Sequence, residues 1–217
     1  MKAHWIIIVA ALVALSVVAC ARELPSGAME YSTAFERNIP AGQTLPGTDI
    51  KYIGKTEQGA QMSIGGQIAI KRALDSLTWH GDAAPGANVS LSLRVLTFDS
   101  QSLDAGGTAK VVITSVKPQA ASPTSLPKDA LTFKGIVNYD VPQGKTIPGT
   151  TITYEGKTPD GAKLGGVEGY ALRKEADSIL WTGRLADKVF LGLDLRVVFI
   201  TDSSLKATGT ATLYIVP

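Results

Sequence analysis

The run Val89-Ser90-Leu91-Ser92-Leu93-Arg94-Val95 alternates apolar and polar residues without a break. A period of two places alternate side chains on opposite faces of a strand. The run therefore predicts a β-strand with Val89, Leu91, Leu93 and Val95 turned to a core. The stretch 189–197 carries the same signal, with Leu191, Leu193, Leu195 and Val197 inward. Shorter strands are predicted at 49–54, 61–64, 68–71, 76–79 and 108–116. They are separated by the turn formers Glu57-Gln58-Gly59, Gly65-Gly66 and Ala105-Gly106-Gly107. Good helix formers cluster at Ala171-Leu172-Arg173-Lys174-Glu175-Ala176, but the apolar spacing around them lacks a helical period. Strand, turn, strand is the reading for 68–77 and 170–180.

The alternation recurs because the chain is duplicated. From Ile39 onward, residue i matches residue i+102 without a gap. Pro40-Ala41-Gly42-Gln43-Thr44-Leu45-Pro46-Gly47-Thr48 answers Pro142-Gln143-Gly144-Lys145-Thr146-Ile147-Pro148-Gly149-Thr150. Asp75-Ser76-Leu77-Thr78-Trp79-His80-Gly81 answers Asp177-Ser178-Ile179-Leu180-Trp181-Thr182-Gly183. The predicted organisation is a first repeat over 30–116, a proline-rich linker over 117–130 and a second repeat over 131–217. About 85 residues suffice for a self-contained β-sandwich. The fold expected is all-β, with two tandem immunoglobulin-like sandwich domains that need not touch. A single pseudo-symmetric sandwich or barrel built from both repeats is the alternative.

Residues 1–19 belong to neither copy. A charged start at Lys2 precedes an apolar run of about 15 residues, shorter than the roughly 20 needed to cross a bilayer as a helix. This is the plan of an export signal. Its end, Val17-Val18-Ala19-Cys20, resembles the bacterial lipobox. The resemblance implies that the chain is cut before Cys20, that Cys20 carries lipid, and that 20–29 tethers the body to a membrane at the periplasmic or cell-surface side. Several acyl chains hold a soluble body firmly at a bilayer.

Composition narrows the chemistry. Twenty-one basic residues against 19 acidic ones give a formal charge of +2, too little to hold nucleic acid by neutralising phosphates. The lone cysteine forbids an internal disulfide and any cysteine-rich metal site. His80 is the one histidine of the exported part, and its repeat partner is Thr182. No Gly-x-Ser-x-Gly elbow or His-Glu-x-x-His motif is present. Gly54-Lys55-Thr56 and Gly156-Lys157-Thr158 lack the upstream glycine of a phosphate-binding loop. Asp75 and Asp177 recur, but in a turn context where Asp bonds its own backbone. The chain is therefore expected to have no catalytic residues, metal or cofactor.

Candidate binding residues remain. Trp79 and Trp181, in register with Tyr52 and Tyr154, read as core first and as sugar-stacking surfaces second. The basic pairs Lys71-Arg72 and Arg173-Lys174, with Arg94 and Arg196, read as solvated strand positions or as a patch on each repeat. The functional expectation is binding or scaffolding of a protein or polysaccharide of the cell envelope. A carbohydrate-active site at the junction of the repeats and a carrier of apolar ligands are the alternatives.

Overall fold

The computed structural model describes residues 24–122, 130–167 and 169–217. All regular structure among them is β. In the first repeat these are β1 (Met29–Pro40), β2 (Lys51–Thr56), β3 (Gly59–Ile64), β4 (Gln67–Lys71), β5 (Ser76–Ala84), β6 (Ala87–Phe98) and β7 (Ser102–Ile113). The short β8 (Gln119–Ala120) follows. The second repeat contains β9 (Leu131–Pro142), β10 (Thr153–Thr158), β11 (Gly161–Gly165), β12 (Leu172–Arg173), β13 (Ser178–Ala186), β14 (Val189–Ile200) and β15 (Ser204–Ile215). Each repeat forms a large antiparallel sheet, in the orders β1-β7-β6-β5 and β8-β13-β14-β15-β9. Each also has a small sheet, β2-β3-β4 or β10-β11-β12, giving a sandwich-like arrangement. The strand–turn–strand reading of 68–77 holds, and no helix intervenes.

The repeat extends to the irregularities. Bulges break the ladder at Asp82/Ala84, Val95/Thr97 and Tyr52/Gly54, and again one period later at Arg184/Ala186, Val197/Phe199 and Tyr154/Gly156. A bulge adds a residue to one strand and sharpens its twist. Shared bulges therefore give the large and the small sheets of the two repeats the same local bends.

Alternation makes the core, one cluster that takes buried residues from both repeats. Val89, Leu91, Leu93 and Val95 are buried on β6, as are Leu191, Leu193, Leu195 and Val197 on β14. Tyr52 and Tyr154 are completely buried. Tyr154 donates its hydroxyl to the Thr201 carbonyl at 2.6 Å, and Tyr52 donates to the Asp99 carbonyl one period earlier. Each ring fills the interior while its polar end ties the small sheet to a hairpin of the large one. Burial, with Asp99 nearby for Tyr52 and Asp202 for Tyr154, raises both phenols above their ordinary range.

β1 and β9 carry weak alternation and no obvious identity, yet they are strands of matching register. Met29 pairs with Ile113 on β7, and Leu131 pairs with Ile215 on β15 one period later. The duplication therefore includes them. Thr33, Arg37 and Gly135 interrupt their inward rows, because these positions meet the other repeat.

The repeats are in contact along β1 and β9. Thr33 Oγ1 donates to the Lys134 carbonyl at 2.6 Å, and Arg37 Nη2 donates to the Thr132 carbonyl at 3.0 Å. The Phe35 and Phe133 rings lie 5.1 Å apart, with the Arg37 guanidinium 5.4 Å from the Phe35 centroid. Ring pairs of this kind contribute about 0.5–1.5 kcal/mol beyond their area. The linker, expected to separate the modules, starts by joining them: Gln119 and Ala120 add to the edge of β13.

Candidate binding surfaces

Each site begins with a tryptophan two residues before a glycine. Successive inward positions on a strand are neighbours, so the indole can lie over the next inward residue only if that residue has no side chain. A Cβ on Gly81 would sit 2.7 Å from the Trp79 ring, and one on Gly183 would sit 2.4 Å from the Trp181 ring. Both indoles therefore lean along the strand over their glycines. They differ in cover: Trp181 is 6% exposed, whereas Trp79 is half-buried.

Beside Trp181 a cleft of about 550 Å³ opens in the second repeat. Trp181, Ile152 and Ile179 line it, Tyr170 and Leu180 form its rim, and Ala120 and Ala121 of the linker close one side. Trp181 Nε1 donates to Thr151 Oγ1 at 3.1 Å, which fixes the ring. Tyr170 and Leu180 are 71% and 67% exposed, large apolar groups presented to solvent at the cleft mouth.

The cleft exists because the repeats diverge at one hairpin. In the first repeat β3 and β4 pair continuously from Ala60/Lys71 to Ile64/Gln67. In the second, β11 and β12 pair at Ala162/Arg173 and Lys163/Leu172, and contact ends with the Leu164 N–H donating to the Ala171 carbonyl at 2.9 Å. Gly166 and Gly169 then turn the chain away at φ 71° and 78°, a region open to glycine at little cost. A side chain on Gly166 would meet the Thr151 carbonyl at 2.1 Å.

The basic candidates have defined places. Arg173 lines the cleft, but its guanidinium faces backbone: Nε donates to the Ser178 carbonyl at 2.9 Å, and Nη1 donates to the Leu172 carbonyl at 2.9 Å and to that of Tyr170. It staples the cleft wall. Lys71 is half-buried, while Arg72 and Lys174 are exposed. The backbone N–H groups of Arg72 and Lys174 each donate at 2.7 Å to the carboxylates of Asp75 and Asp177. Both aspartates thus hold turns in this structure. Arg94 Nη1 donates to the Leu74 carbonyl at 2.8 Å. His80 Nδ1 lies 2.8 Å from Ser90 Oγ on the exposed side of the sheet. The described residues contain no cluster of three or more His, Cys, Asp or Glu side chains suited to a metal. Cys20 lies outside the described residues.

A second hollow, about 390 Å³, lies on the seam between the repeats, lined by Tyr31, Val137, Asn138, Tyr139, Ile136 and Pro148 among others. The positions one period away from Tyr31, Val137 and Tyr139 are Phe133, Phe35 and Arg37. Those three stack on one another and fill the corresponding side of the seam. The Tyr31 hydroxyl is buried beside Tyr139 and makes no well-formed hydrogen bond among the described residues. Burial first, then the neighbouring Tyr139, pushes its ionisation far above the ordinary tyrosine range. Sequence reasoning missed this hollow, because no single residue in it is unusual. The available signal was the replacement of Phe35 and Arg37 by Val137 and Tyr139 at equivalent positions. Comparison with protein-family models, with curated proteins and with solved structures finds no match for the chain.

Proposed function

We propose that this chain is an exported lipoprotein, held to a membrane by lipid on Cys20, whose two immunoglobulin-like modules bind or scaffold an envelope partner and do not catalyse a reaction. The carrying observation is the cleft beside Trp181. Duplication supplied two equal frames, and the divergence of one hairpin accompanies an aromatic-floored groove in the second. An apolar floor with a few fixed polar groups suits a ligand that is stacked and oriented.

Among envelope partners, a polysaccharide is favoured by the cleft mouth. Tyr170 and Leu180 stand exposed beside a groove whose charged members, Arg173 and Asp177, already hold backbone. A neutral sugar ring needs an aromatic face and hydrogen-bonding groups more than free charge. The anchor rests on the resemblance of Val17-Val18-Ala19-Cys20 to the lipobox.

Two measurements test the proposal. Intact mass of the protein extracted from membranes should show a chain that starts at Cys20 and carries acyl groups, and Cys20→Ala should abolish them. Co-sedimentation with purified envelope polysaccharide should fall about tenfold in Tyr170→Ala with Leu180→Ser, the cost of roughly 1.4 kcal/mol of contact. An unprocessed N-terminus sinks the anchor. Equal sedimentation of the double variant and the unaltered chain sinks the cleft as the binding surface.

A further inference from the structure

The two β5-type edges are treated differently. On β13 the edge is occupied: Gln119 and Ala120 pair antiparallel with Arg184 and Gly183, the Ala121 N–H donates to the Thr182 carbonyl at 2.9 Å, and the Lys117 N–H donates to the Leu185 carbonyl at 2.8 Å. In the first repeat, β5 is the end strand of its sheet, and among the described residues nothing pairs with its outer side. One period before β8 lie residues 17 and 18, inside the stretch read as an export signal. This inference rests on the export reading, in which cleavage before Cys20 removes those residues.

Ladder geometry identifies the groups left over. In an antiparallel strand both backbone groups of a residue turn to the same side, alternating along the strand. Thr182 offers its carbonyl to the linker, so His80, one period earlier, offers its own N–H and C=O to the open side, as does Asp82 two residues on. Trp79 beside this edge is half-buried and packs against the core, whereas Trp181 beside the linker is 6% exposed. Unpaired edges with exposed apolar surface are templates for another strand.

We infer that this edge pairs with the same edge of a second copy, β5 against β5 about a two-fold axis through Gly81, joining two four-stranded sheets into one of eight. The sequence is self-complementary in that register. On the exposed face His80 stands opposite Asp82 of the partner subunit, twice, an imidazole N–H donor facing a carboxylate acceptor beyond the bonds these groups make to Ser90 and Asn88. On the inner face Trp79 stands opposite Ala83 of the partner subunit, and glycine meets glycine on the axis, where nothing obstructs approach. Shifting the pairing by one ladder step brings His80 opposite itself, or Asp82 opposite itself. Like residues facing each other select against those registers. A two-fold contact of this kind closes and does not propagate.

The test uses the full chain in its native membranes. Opposed residues of a hydrogen-bonded pair have Cα atoms about 5.5 Å apart, within disulfide reach. Differently tagged chains carrying His80→Cys and Asp82→Cys, expressed together and mildly oxidised, should give a mixed disulfide dimer, while either variant alone gives none and Cys20 alone gives none. His80→Pro removes the outward N–H at an edge position that tolerates proline, so it should abolish the dimer in a chain that still folds. Dimers from His80→Cys alone overturn the register. No mixed dimer, or a monomer that instead captures an extended peptide along this edge, overturns the inference. Mass of the N-terminus separates the two readings. An unprocessed chain that fails to cross-link indicts the export reading, and a chain processed at Cys20 that fails to cross-link indicts this inference.

Discussion

Thr33 and Gly135 stand at the same position of their repeats, one period apart, and face each other where β1 crosses β9. A Cβ on Gly135 would lie 2.9 Å from Thr33 Oγ1 and 3.1 Å from Thr33 Cβ, and that hydroxyl donates to the neighbouring Lys134 carbonyl at 2.6 Å. The seam between the repeats therefore has a local two-fold character with one side chain to share between two equivalent sites. Thr33 fills the space that Gly135 vacates.

A swap follows from that geometry. Gly135→Val should destabilise the chain by about 1–3 kcal/mol through overpacking at the seam, read as a lower urea midpoint. Thr33→Gly alone should lose the hydrogen bond and the packing. The double variant Thr33→Gly with Gly135→Thr should recover most of the loss, because it places the same side chain on the other side of the crossing. Additive losses in the double variant would show that the two positions do not share one space.

Tyr31 is the equivalent of Phe133 and carries a buried hydroxyl that interacts with Tyr139 without a well-formed hydrogen bond. Burying an unpaired hydroxyl costs about 1–3 kcal/mol, so Tyr31→Phe should be neutral or stabilising by urea denaturation. The pH dependence has a defined sign. Burial raises the ionisation of Tyr31 and Tyr139 in the folded chain, so the folded state keeps protons that the unfolded chain releases near pH 10. Stability from these groups is full below about pH 10 and falls as pH rises above it. Tyr31→Phe should shallow that alkaline decline. A decline of unchanged steepness would mean that the phenol is not held neutral by the fold.

Leu74 and Ala176 occupy matching turn positions with φ of 68° and 70°, a left-handed conformation costing a non-glycine residue about 1–2 kcal/mol. The turns persist because the Asp75 and Asp177 carboxylates hold the N–H groups of Arg72 and Lys174 and the strands beyond are packed. Leu74 is 66% exposed, so Leu74→Gly sacrifices little packing. It should raise the thermal midpoint, whereas Leu74→Val should lower it. Asp75→Ala should cost about 1 kcal/mol by leaving the Arg72 N–H without its acceptor. Equal midpoints for the glycine and valine variants would remove the strain argument.

What the sequence made legible divides along a physical line. Strands with one face in their own repeat's core, such as β6 and β14, announce themselves by strict alternation. So do the turns at Gln58-Gly59 and Gly65-Gly66, but Ala105-Gly106-Gly107, expected as a turn before a strand at 108–116, lies inside β7, where a Cβ on Gly107 would meet the Ser92 carbonyl of β6 at 2.2 Å. β1 and β9 were not foreseen, because their inward positions meet the opposite repeat and are filled by Thr33, Arg37, Gly135 and Tyr139 rather than by aliphatic residues. Trp181 is buried in the core, and Trp79 is only partly buried against it. The difference in their exposure was not legible, since it comes from a two-residue strand, β8, in a segment whose prolines read only as linker. The cleft was hidden for a related reason: it arises from what the hairpin around Gly166 and Gly169 fails to cover.

The last prediction separates the tryptophan from the strand beside it. The three atoms nearest to a Cβ on Gly81 would all belong to the Trp79 ring, the first at 2.7 Å, whereas a Cβ on Gly183 would meet the Trp181 ring at 2.4 Å and also the Gln119 carbonyl at 2.4 Å. Ring and carbonyl differ in how they yield. The half-buried Trp79 can tilt toward its open edge, but the Gln119 carbonyl belongs to a ladder whose hydrogen bonds are lost if it moves. Gly183→Ala should therefore cost more than Gly81→Ala, by about 1 kcal/mol or more, the net worth of a hydrogen bond forced apart. Hydrogen exchange gives the sharper readout: the N–H groups of Lys117 and Ala121, which donate into the β13 edge, should lose protection in Gly183→Ala and keep it in Gly81→Ala. If protection at those two amides is unchanged in Gly183→Ala, the linker does not depend on the close approach that the missing side chain permits.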